Sequence, residues 1–568
     1  MNIFDEFYIP FLKDNIPYFI IYAIFSFGTY PFQTIILPKL YGMLIGKINS
    51  GDISTIQITL GNLYTSLLKF GLQGIILSII LVYIFISGAH AIKNYIEADL
   101  VPNFLTFARE KIFRKTVEER SKNFREVKSG EHISRILEVT RSMKNIFQWV
   151  MSDTIPETFA LILTVLYFLT IDSEITYVLG FALIIIYTII YITSEYVISG
   201  SREREIKYFE LSEKLNDSFS NLLNVYLNNE EETENKKNED VSKEYGTEYK
   251  NLLITERYII TACQTMAIIA YSTSVLKMLG KFTNNTLKAS TFITSMLLLG
   301  NYMNYTFSSI YNIGAVLLSQ IGIISASDPF LSEIMNASST KGITSGIDSG
   351  EIYFNDIVYA YDKTGSNLFD GFNLHIDGGD KVAIVGPSGS GKTTLTKMLV
   401  GVIRPTHGNI KIDGTLIEEY DTTYLRDKVI YVNQRTTLFD TTILENIKYG
   451  NHNVSDDEVM NIIEEYRLQS VYGELEQGVS SHAGSNGSNL SLGMQKVTII
   501  LRSIFKDGQV YIFDEPLAGL DGNTRKKVMR LLLNKCKDKT LLVITHDEEI
   551  IPFMNRVIDL KEYKDKND

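Results

Sequence analysis

Long apolar runs dominate the N-terminal half of the chain, whereas the C-terminal half alternates short apolar runs with polar segments. A helix needs about 20 mainly apolar residues to cross a lipid bilayer. Six stretches are long enough, and they lie near Ile16–Ile45, Phe70–Ala91, Trp149–Ile171, Ile175–Ile198, Tyr258–Leu279 and Thr291–Ser325. Ile76–Ile86 and Val178–Ile192 contain no charged residue, which argues against buried helices of a soluble core. The pattern therefore predicts six membrane-spanning helices.

Positive charge is concentrated in the two long segments that join spans two to three and four to five. The turn between spans three and four is only Asp172–Glu174. Because lysine and arginine stay on the cytoplasmic side of a membrane, we expect the long segments and both termini to be cytoplasmic. Phe104–Ser121 and Lys207–Tyr226 are amphipathic and charge-rich, which predicts helices that continue well beyond the bilayer.

The sixth apolar stretch carries a polar stripe at helical spacing, formed by Tyr302, Tyr305, Ser309 and Asn312, with Asn301, Asn304 and Ser308 beside them. A helix that faces lipid would not carry so many polar side chains. The stripe is either a set of contacts between helices of the bundle or the wall of a water-filled cavity that touches a solute.

A glycine-rich loop in the C-terminal half has the spacing of a phosphate-binding loop. Its residues are Gly386, Pro387, Ser388, Gly389, Ser390, Gly391, Lys392, Thr393 and Thr394. The loop follows an apolar, strand-like run and precedes a helical one, so its backbone N–H groups can face phosphates. Lys392 would reach the terminal phosphates, and Thr393 would hold Mg²⁺ through its hydroxyl. We therefore expect ATP and Mg²⁺ to bind here.

Two further strand ends carry the polar groups that such a site needs. The apolar strand Val510–Phe513 ends in Asp514 and Glu515. This pattern assigns Asp514 to the Mg²⁺ shell and Glu515 to the attacking water. His546 follows the apolar run Leu541–Thr545. Its place at a strand end favours a γ-phosphate contact over a structural role.

In this order the motifs resemble the ATP-binding cassette (ABC) transporters of the exporter type, and the resemblance covers nearly the whole chain. The run Leu438–Gly450 is also close to the exporter pattern. The resemblance implies an α-helical transmembrane bundle followed by a C-terminal α/β cassette. We expect a transmembrane domain at residues 1–330, a linker at 331–346 and a nucleotide-binding domain at 347–568.

The same resemblance implies roles for residues outside the phosphate loop. Tyr361 looks like the aromatic residue that stacks on adenine, and Gln434 like the glutamine that joins the Mg²⁺ site to the membrane domain. Asp521 lies in a loop similar to the one that contacts a second subunit. Phe124–Arg135 and Ser218–Glu230 resemble the loops in which exporters place their coupling helices.

One family motif departs from its usual Leu-Ser-Gly-Gly-Gln sequence, because residues 490–494 read Leu-Ser-Leu-Gly-Met. The family pattern implies that Ser491 and Gly493, which are kept, touch the γ-phosphate of ATP bound to the partner subunit. Leu492 and Met494 place apolar residues where a small residue and an amide are expected. We therefore expect the chain to work best as a heterodimer with a second half-transporter. The alternative is a homodimer that tolerates both substitutions.

Composition narrows the remaining classes of function. The net charge of −12 argues against a nucleic-acid partner. The two cysteines, Cys263 and Cys536, fit no disulfide or metal-ligand spacing, and Met1–Asn15 has no signal-peptide pattern. The expected function is ATP-driven export of a small molecule, lipid or peptide, and the alternative is a regulatory or scaffolding membrane ATPase. The spans exclude the soluble cassette ATPases of DNA repair.

Overall fold

The structure is a computed structural model, and it describes residues 3–49, 72–122, 129–335, 342–361, 367–434 and 436–561. The chain divides into two compact units. The first comprises Met1–Val117 and Glu126–Ala337, and the second comprises Glu118–Arg125 and Ser338–Asp568. Part of the expected coupling loop, Phe124 to Lys128, lies outside the described residues.

The first unit contains six helices that are long and apolar enough to cross a membrane, which confirms the six-span prediction. Their bounds are Ile16–Asn49, Leu72–Ser121, His132–Phe168, Ser173–Ser220, Glu231–Thr283 and Ala289–Ala326. The longest, Glu231–Thr283, has 53 residues, and at 1.5 Å per residue it extends about 80 Å, against roughly 30 Å of hydrocarbon. These six helices are called spans one to six below.

Three of the spans contain a short π-helical segment in the middle of the α-helix. The segments are Phe32–Ile36 in span one, Val150–Thr154 in span three and Asn312–Leu317 in span six. The α-helices before the second unit's main segment are Ile9–Asp14, Ile16–Pro31, Leu37–Asn49, Leu72–Lys122, Ser129–Trp149, Ile155–Phe168, Ser173–Ser220, Leu222–Leu227, Glu231–Thr283, Ala289–Tyr311, Leu318–Ala326 and Asp328–Met335, and a further π-helical turn spans Phe4–Tyr8. Of the helix Leu72–Lys122, the part from Glu118 onward belongs to the second unit. Short π-helical segments inside α-helices often accompany functional sites.

The turn between spans three and four is fixed to the end of span five. Asp172 caps the helix of span four by accepting hydrogen bonds from the backbone N–H groups of Glu174 at 2.9 Å and Ile175 at 3.4 Å. Lys277 lies 3.6 Å from Asp172 Oδ1, and Lys281 pairs with Oδ2. One carboxylate thus joins the turn between spans three and four to the last residues of span five.

The second unit contains two sheets and a set of short helices. The strands are β1 (Ile352–Tyr359), β2 (Phe369–Ile376), β3 (Lys381–Val385), β4 (His407–Ile412), β5 (Thr415–Leu416), β6 (Val429–Val432), β7 (Val510–Asp514), β8 (Thr540–Ile544) and β9 (Arg556–Asp559). The α-helices are Lys392–Leu399, Thr422–Lys428, Ile443–Lys448, Asp456–Glu465, Leu492–Ile504 and Gly522–Lys535, and short 3₁₀ turns span Leu468–Val471, Gly478–Ser480, Ser485–Gly487 and Ile551–Phe553.

The strand order places the motif-bearing loops at one sheet edge. The antiparallel sheet has the order β2-β1-β4-β5, and the parallel sheet has the order β6-β7-β8-β3-β9. Every residue of β7 and β8 is buried, which is typical of parallel strands covered on both faces. Because parallel strands share a direction, the segments after β3, β7 and β8 meet at the carboxyl edge, where open α/β sheets bind ligands.

The predicted orientation can be tested by cysteine labelling, because both native cysteines are buried. Asn284 is exposed in the turn after span five, and Glu232 is exposed at the start of the same long helix. In intact cells we expect a membrane-impermeant maleimide to label Asn284→Cys and to label Glu232→Cys only after permeabilisation. The opposite labelling pattern would show that the orientation is inverted.

Candidate nucleotide site

The phosphate loop curls tightly between β3 and the helix Lys392–Leu399. Gly386, Gly389 and Gly391 have φ values of +145°, +79° and +100°, which glycine adopts without steric cost. A Cβ atom added to Gly391 would lie 2.5 Å from Cζ of Phe369. Glycine is therefore required at position 391 both for its conformation and for its close approach to β2.

Lys392 folds back over the loop that precedes it. Its Nζ donates hydrogen bonds to the carbonyl oxygens of Gly386 at 2.7 Å and Pro387 at 2.9 Å. Burial lowers the pKa of Lys392, while the charges of Asp514 and Glu515 act in the opposite direction. The ammonium group lies over the loop, within reach of phosphates that the loop would bind.

Thr393 and Asp514, both expected to hold Mg²⁺, are in direct contact. The hydroxyl of Thr393 donates to Oδ2 of Asp514 at 2.9 Å. Asp514 is buried, and this burial raises the pKa of its carboxyl group, against the lowering effect of the Thr393 hydrogen bond. Hydroxyl and carboxylate oxygens are the ligand types that Mg²⁺ prefers.

Ser390 provides a separate test of whether a polar ligand fits the loop. Its side chain is buried, and its hydroxyl has no hydrogen-bond partner among the described residues. Buried polar groups are normally paired, so an orphaned hydroxyl in a loop of turned backbone indicates that a ligand supplies the partner. The loop residues therefore fit a phosphate group, and the Thr393–Asp514 pair fits its cation.

Glu515 has an unusual backbone and a defined side-chain partner. Its φ is +51°, a left-handed value that is uncommon for a residue with a side chain. The side-chain amide of Gln434 donates to Glu515 Oε2 at 2.7 Å. The structure thus places Gln434, expected at the Mg²⁺ site, against the carboxylate that was expected to orient water.

The two remaining residues expected to touch ATP from this chain are exposed. Tyr361 is 69% exposed, and its hydroxyl shares a hydrogen bond with the Thr394 hydroxyl. His546 is also exposed, in the segment that follows β8. Most of the Tyr361 side chain is therefore accessible, and His546 stands at the same sheet edge as the phosphate loop.

Of the two substitutions in the signature motif, one side chain faces outward and the other is buried. Ser491 caps the helix Leu492–Ile504, called the signature helix below, and its hydroxyl accepts from the N–H of Met494 at 3.3 Å. Leu492 is 59% exposed, but Met494 is only 7% exposed and belongs to the apolar core. Of the two apolar replacements, only Leu492 adds bulk to the surface beside Ser491 and Gly493.

Gln495 and Asp521, two polar residues near the signature, each form local hydrogen bonds with the backbone. The side-chain amide of Gln495 donates to the carbonyl oxygens of Gly487 at 2.9 Å and Leu490 at 3.0 Å. Asp521 caps the helix Gly522–Lys535 by accepting from the N–H groups of Asn523 and Thr524. The role of Gln495 is not visible in the sequence, because only the fold brings the 484–487 loop against this helix.

The polar stripe of span six divides between two kinds of contact. Tyr302 is completely buried, and its hydroxyl donates to the carbonyl oxygen of Leu179 in span four at 3.0 Å. Ser309 shares a hydrogen bond of 2.9 Å with Tyr187 of the same span. These two residues join helices, as the first interpretation of the stripe expects.

The other face of the stripe contacts a carboxylate that sequence analysis did not single out. Glu157 of span three accepts from the hydroxyl of Ser308 at 2.6 Å and from the amide of Asn312 at 3.3 Å. All three residues are only partly buried. Asp153 and Glu157, two acids within the third apolar stretch, are the sequence signal that could have identified it, because such residues are costly in a membrane and mark functional positions.

A phosphate loop, a paired threonine and aspartate, and six membrane-length helices define a membrane-embedded nucleotide-binding protein. The family model of the ABC transporter transmembrane region matches residues 16–307, and the ABC transporter model matches residues 369–518. The first match alone covers more than half of the chain. The chain therefore belongs to the ABC transporters, as its motifs predicted.

Individual relatives match part of the chain. An ATP-dependent lipid A-core flippase of Neisseria meningitidis serogroup A is 34% identical over 215 residues, which are 38% of this chain and 35% of the flippase. The mitochondrial iron-sulfur clusters transporter ATM1 of Candida glabrata is 32% identical over 232 residues, 40% of this chain and 32% of that protein. These matches thus span about a third of each relative.

A solved structure matches almost the entire chain. The ATP-bound structure of a bacterial Atm1-family ABC exporter has a TM-score of 0.82, and the match covers 97% of this chain and 94% of that one. The sequence identity is 18%, so the likeness establishes the fold. It confirms the predicted fold class of a transmembrane helical bundle followed by an α/β cassette.

Replacing Lys392 by alanine should weaken ATP binding about 10- to 100-fold, because hydrogen bonds to charged groups contribute roughly 1.5–3 kcal/mol. Titration of purified protein with a fluorescent ATP analogue measures this loss. Lys535→Ala removes an exposed lysine at the end of the helix Gly522–Lys535 and is the matched control. Equal affinities of the Lys392 variant and the wild type would show that this loop is not the binding site.

Proposed function

We propose that the chain is one half of a dimeric exporter that uses ATP binding and hydrolysis to move a solute out of the cytoplasm. The observation that carries this proposal is the convergence of three strand ends in a chain with six membrane-length helices. The phosphate loop after β3, the two carboxylates at the end of β7 and His546 after β8 all lie along one sheet edge.

The residues of this edge have separate roles in the proposed hydrolysis. The phosphate loop and Lys392 hold the phosphates, Tyr361 stacks on adenine, and His546 contacts the γ-phosphate. Thr393, Asp514 and Gln434 would hold Mg²⁺, which when bound neutralises charge on the β- and γ-phosphates. Glu515 orients the attacking water by accepting a hydrogen bond from it.

Completion of the site requires a second subunit. One chain supplies one phosphate loop and one signature, and Ser491 and Gly493 of that signature would face ATP held by the partner. Asp521 follows the two carboxylates in the loop that would contact the partner. Because each ATP would contact the phosphate loop of one chain and the signature of the other, a chain with an intact phosphate loop still depends on another chain's signature.

We further propose that the partner is a different half-transporter with an unaltered signature. Exposed Leu492 occupies the position where the family has a glycine, and its side chain packs against Gly519, whose added Cβ would lie 3.1 Å from Leu492 Cδ2. In a homodimer both ATP molecules would meet this leucine. In a heterodimer only the partner's ATP would meet it.

The solute remains a small molecule, lipid or peptide in this proposal. The two relatives named above are a lipid A-core flippase and an iron-sulfur clusters transporter, so their names support export without agreeing on one cargo. The partly buried face of span six, with Ser308 and Asn312 on Glu157, is the part of the stripe that suits contact with a solute.

A regulatory or scaffolding membrane ATPase is the second candidate. The exposed leucine in the signature favours it, because a weakened ATP interface would slow turnover. The Thr393–Asp514 hydrogen bond and the contact of Gln434 with the Glu515 carboxylate favour export, because a site that only signals nucleotide binding has no need of an oriented hydrolytic carboxylate.

Glu515→Gln should abolish steady-state hydrolysis and leave ATP affinity within about twofold of wild type. The substitution keeps the shape of the side chain and its contact with Gln434 but removes the charge that polarises water. Phosphate release and nucleotide titration on the same preparation measure both quantities. Normal hydrolysis by this variant would refute the role assigned to Glu515.

The export proposal is tested with inverted membrane vesicles and a panel of fluorescent lipids, peptides and amphipathic small molecules. We expect ATP-dependent accumulation of at least one member, and a matching stimulation of hydrolysis. Vesicles that contain Glu515→Gln are the control and should accumulate none. Hydrolysis without accumulation or stimulation across the panel would favour the regulatory ATPase.

The heterodimer proposal predicts that the chain purified alone hydrolyses ATP slowly and that Leu492→Gly accelerates it roughly tenfold, equivalent to about 1.4 kcal/mol. Leu492→Met keeps the apolar bulk and should have no effect. Position 494 is left unchanged, because an amide there would be buried in the core. Rapid hydrolysis by the wild-type chain alone, with no gain from Leu492→Gly, would indicate a functional homodimer.

A further inference from the structure

Lys496 lies on the signature helix at a position that none of the site motifs covers. Its Nζ donates a hydrogen bond to the main-chain carbonyl oxygen of Glu515 at 3.1 Å. The side chain is partly buried, and the carboxylates of Asp514 and Glu515 both interact with its charge. A lysine of the signature helix is thus attached to the backbone of the residue that is proposed to orient water.

The backbone at Glu515 requires support from its surroundings. Non-glycine residues in the left-handed region are strained, and such conformations persist only where neighbouring contacts determine them. The N–H of Glu515 donates to the carbonyl oxygen of Ile544 at 2.9 Å. Its carbonyl oxygen accepts from the N–H of Ala518 at a long 3.4 Å and from Lys496 at 3.1 Å. Lys496 therefore makes the shorter of the two contacts to that oxygen.

The left-handed conformation of Glu515 also determines where its side chain points. In this conformation the carboxylate reaches Gln434, whose amide lies 2.7 Å from Oε2. An ordinary extended or helical φ would turn the Cα–Cβ bond of Glu515 away from its present direction. Any group that holds the backbone of Glu515 in place consequently also aims its carboxylate.

A lysine is well suited to this contact. Hydrogen bonds from a charged donor are stronger than neutral ones, and the signature helix fixes the origin of the side chain. Position 496 is also only five residues from Ser491, the cap of the same helix. The residue that would touch the partner's ATP and the residue that holds Glu515 are therefore carried by one helix.

We propose that Lys496 is a positioning residue, which holds the backbone of Glu515 in its left-handed conformation and thereby aims the Glu515 carboxylate at the attacking water. This inference rests on the proposed hydrolytic function. Lys496 acts on the chemistry only through Glu515 and makes no contact with the phosphates in this scheme.

The first test compares Lys496→Met with Lys496→Arg in the full-length chain. We expect Lys496→Met to lower kcat at least tenfold, with the KM for ATP and the dissociation constant of a fluorescent ATP analogue within twofold of wild type. Lys496→Arg retains a long cationic donor and should recover most of the lost kcat. Lys526→Met, at an exposed lysine of the helix Gly522–Lys535, is the control and should match wild type.

A different pattern in these measurements would overturn the proposal. An unchanged kcat for Lys496→Met would overturn it. A joint loss of ATP binding and thermal stability would also overturn it, because that result is expected of a lysine with a purely structural role. The lack of rescue by arginine combined with a raised KM would indicate a contact with nucleotide instead.

A structure of the Lys496→Met protein provides a readout that does not depend on activity. We expect Glu515 to leave the left-handed region and its contact with Gln434 to break. An unchanged Glu515 conformation would overturn the proposal, whatever the rates are. If the wild-type chain proves inactive but Glu515 relaxes in the variant, the proposed function fails while the positioning role stands.

Discussion

The hydrogen bond from Thr393 to Asp514 joins the start of the helix that follows β3 to the end of β7, although β3 and β7 are not neighbouring strands. β8 lies between β3 and β7 in the parallel sheet, so the loop after β3 must curl back along the sheet edge to bring Thr393 within 2.9 Å of Asp514. The buried side chains of β7 and β8 fix both strands, because any slip would expose apolar surface. The parallel sheet thereby fixes the carboxylates, and the proposed ATP chemistry depends on that alignment.

The membrane unit follows a different constraint, because polar groups in hydrocarbon must find partners within the protein. Span six meets this requirement through side chains directed to three other spans. Tyr302 bonds to span four, Asn301 donates to a carbonyl oxygen of Gln33 in span one, and Ser308 donates to Glu157 in span three. Movement of span six would have to exchange these bonds, so the stripe both stabilises the bundle and connects its helices.

The features that sequence analysis predicted are those encoded locally. Span number follows from apolar length, and it was predicted correctly. The phosphate loop follows from glycine spacing between a strand and a helix, and the structure places this segment between β3 and the helix Lys392–Leu399. The burial of Met494 was missed, because it depends on which face of the signature helix meets the core. The contact of Lys496 with Glu515 joins residues 19 positions apart, and Gln434 reaches Glu515 across 81 positions. Such pairings depend on packing that no local pattern encodes.

The phosphate loop is attached to the antiparallel sheet at two points. The ring of Phe369, the first residue of β2, fills the space beside Gly391, and the hydroxyl of Tyr361 bonds to Thr394. The aromatic ring expected to stack on the base and the loop expected to bind the phosphates therefore belong to one connected cradle. The residues expected at the base and those expected at the phosphates would thus already be in contact before a nucleotide binds. Discrimination between triphosphate and diphosphate would then fall to the groups outside this cradle, at the strand ends of β7 and β8 and on the opposing subunit.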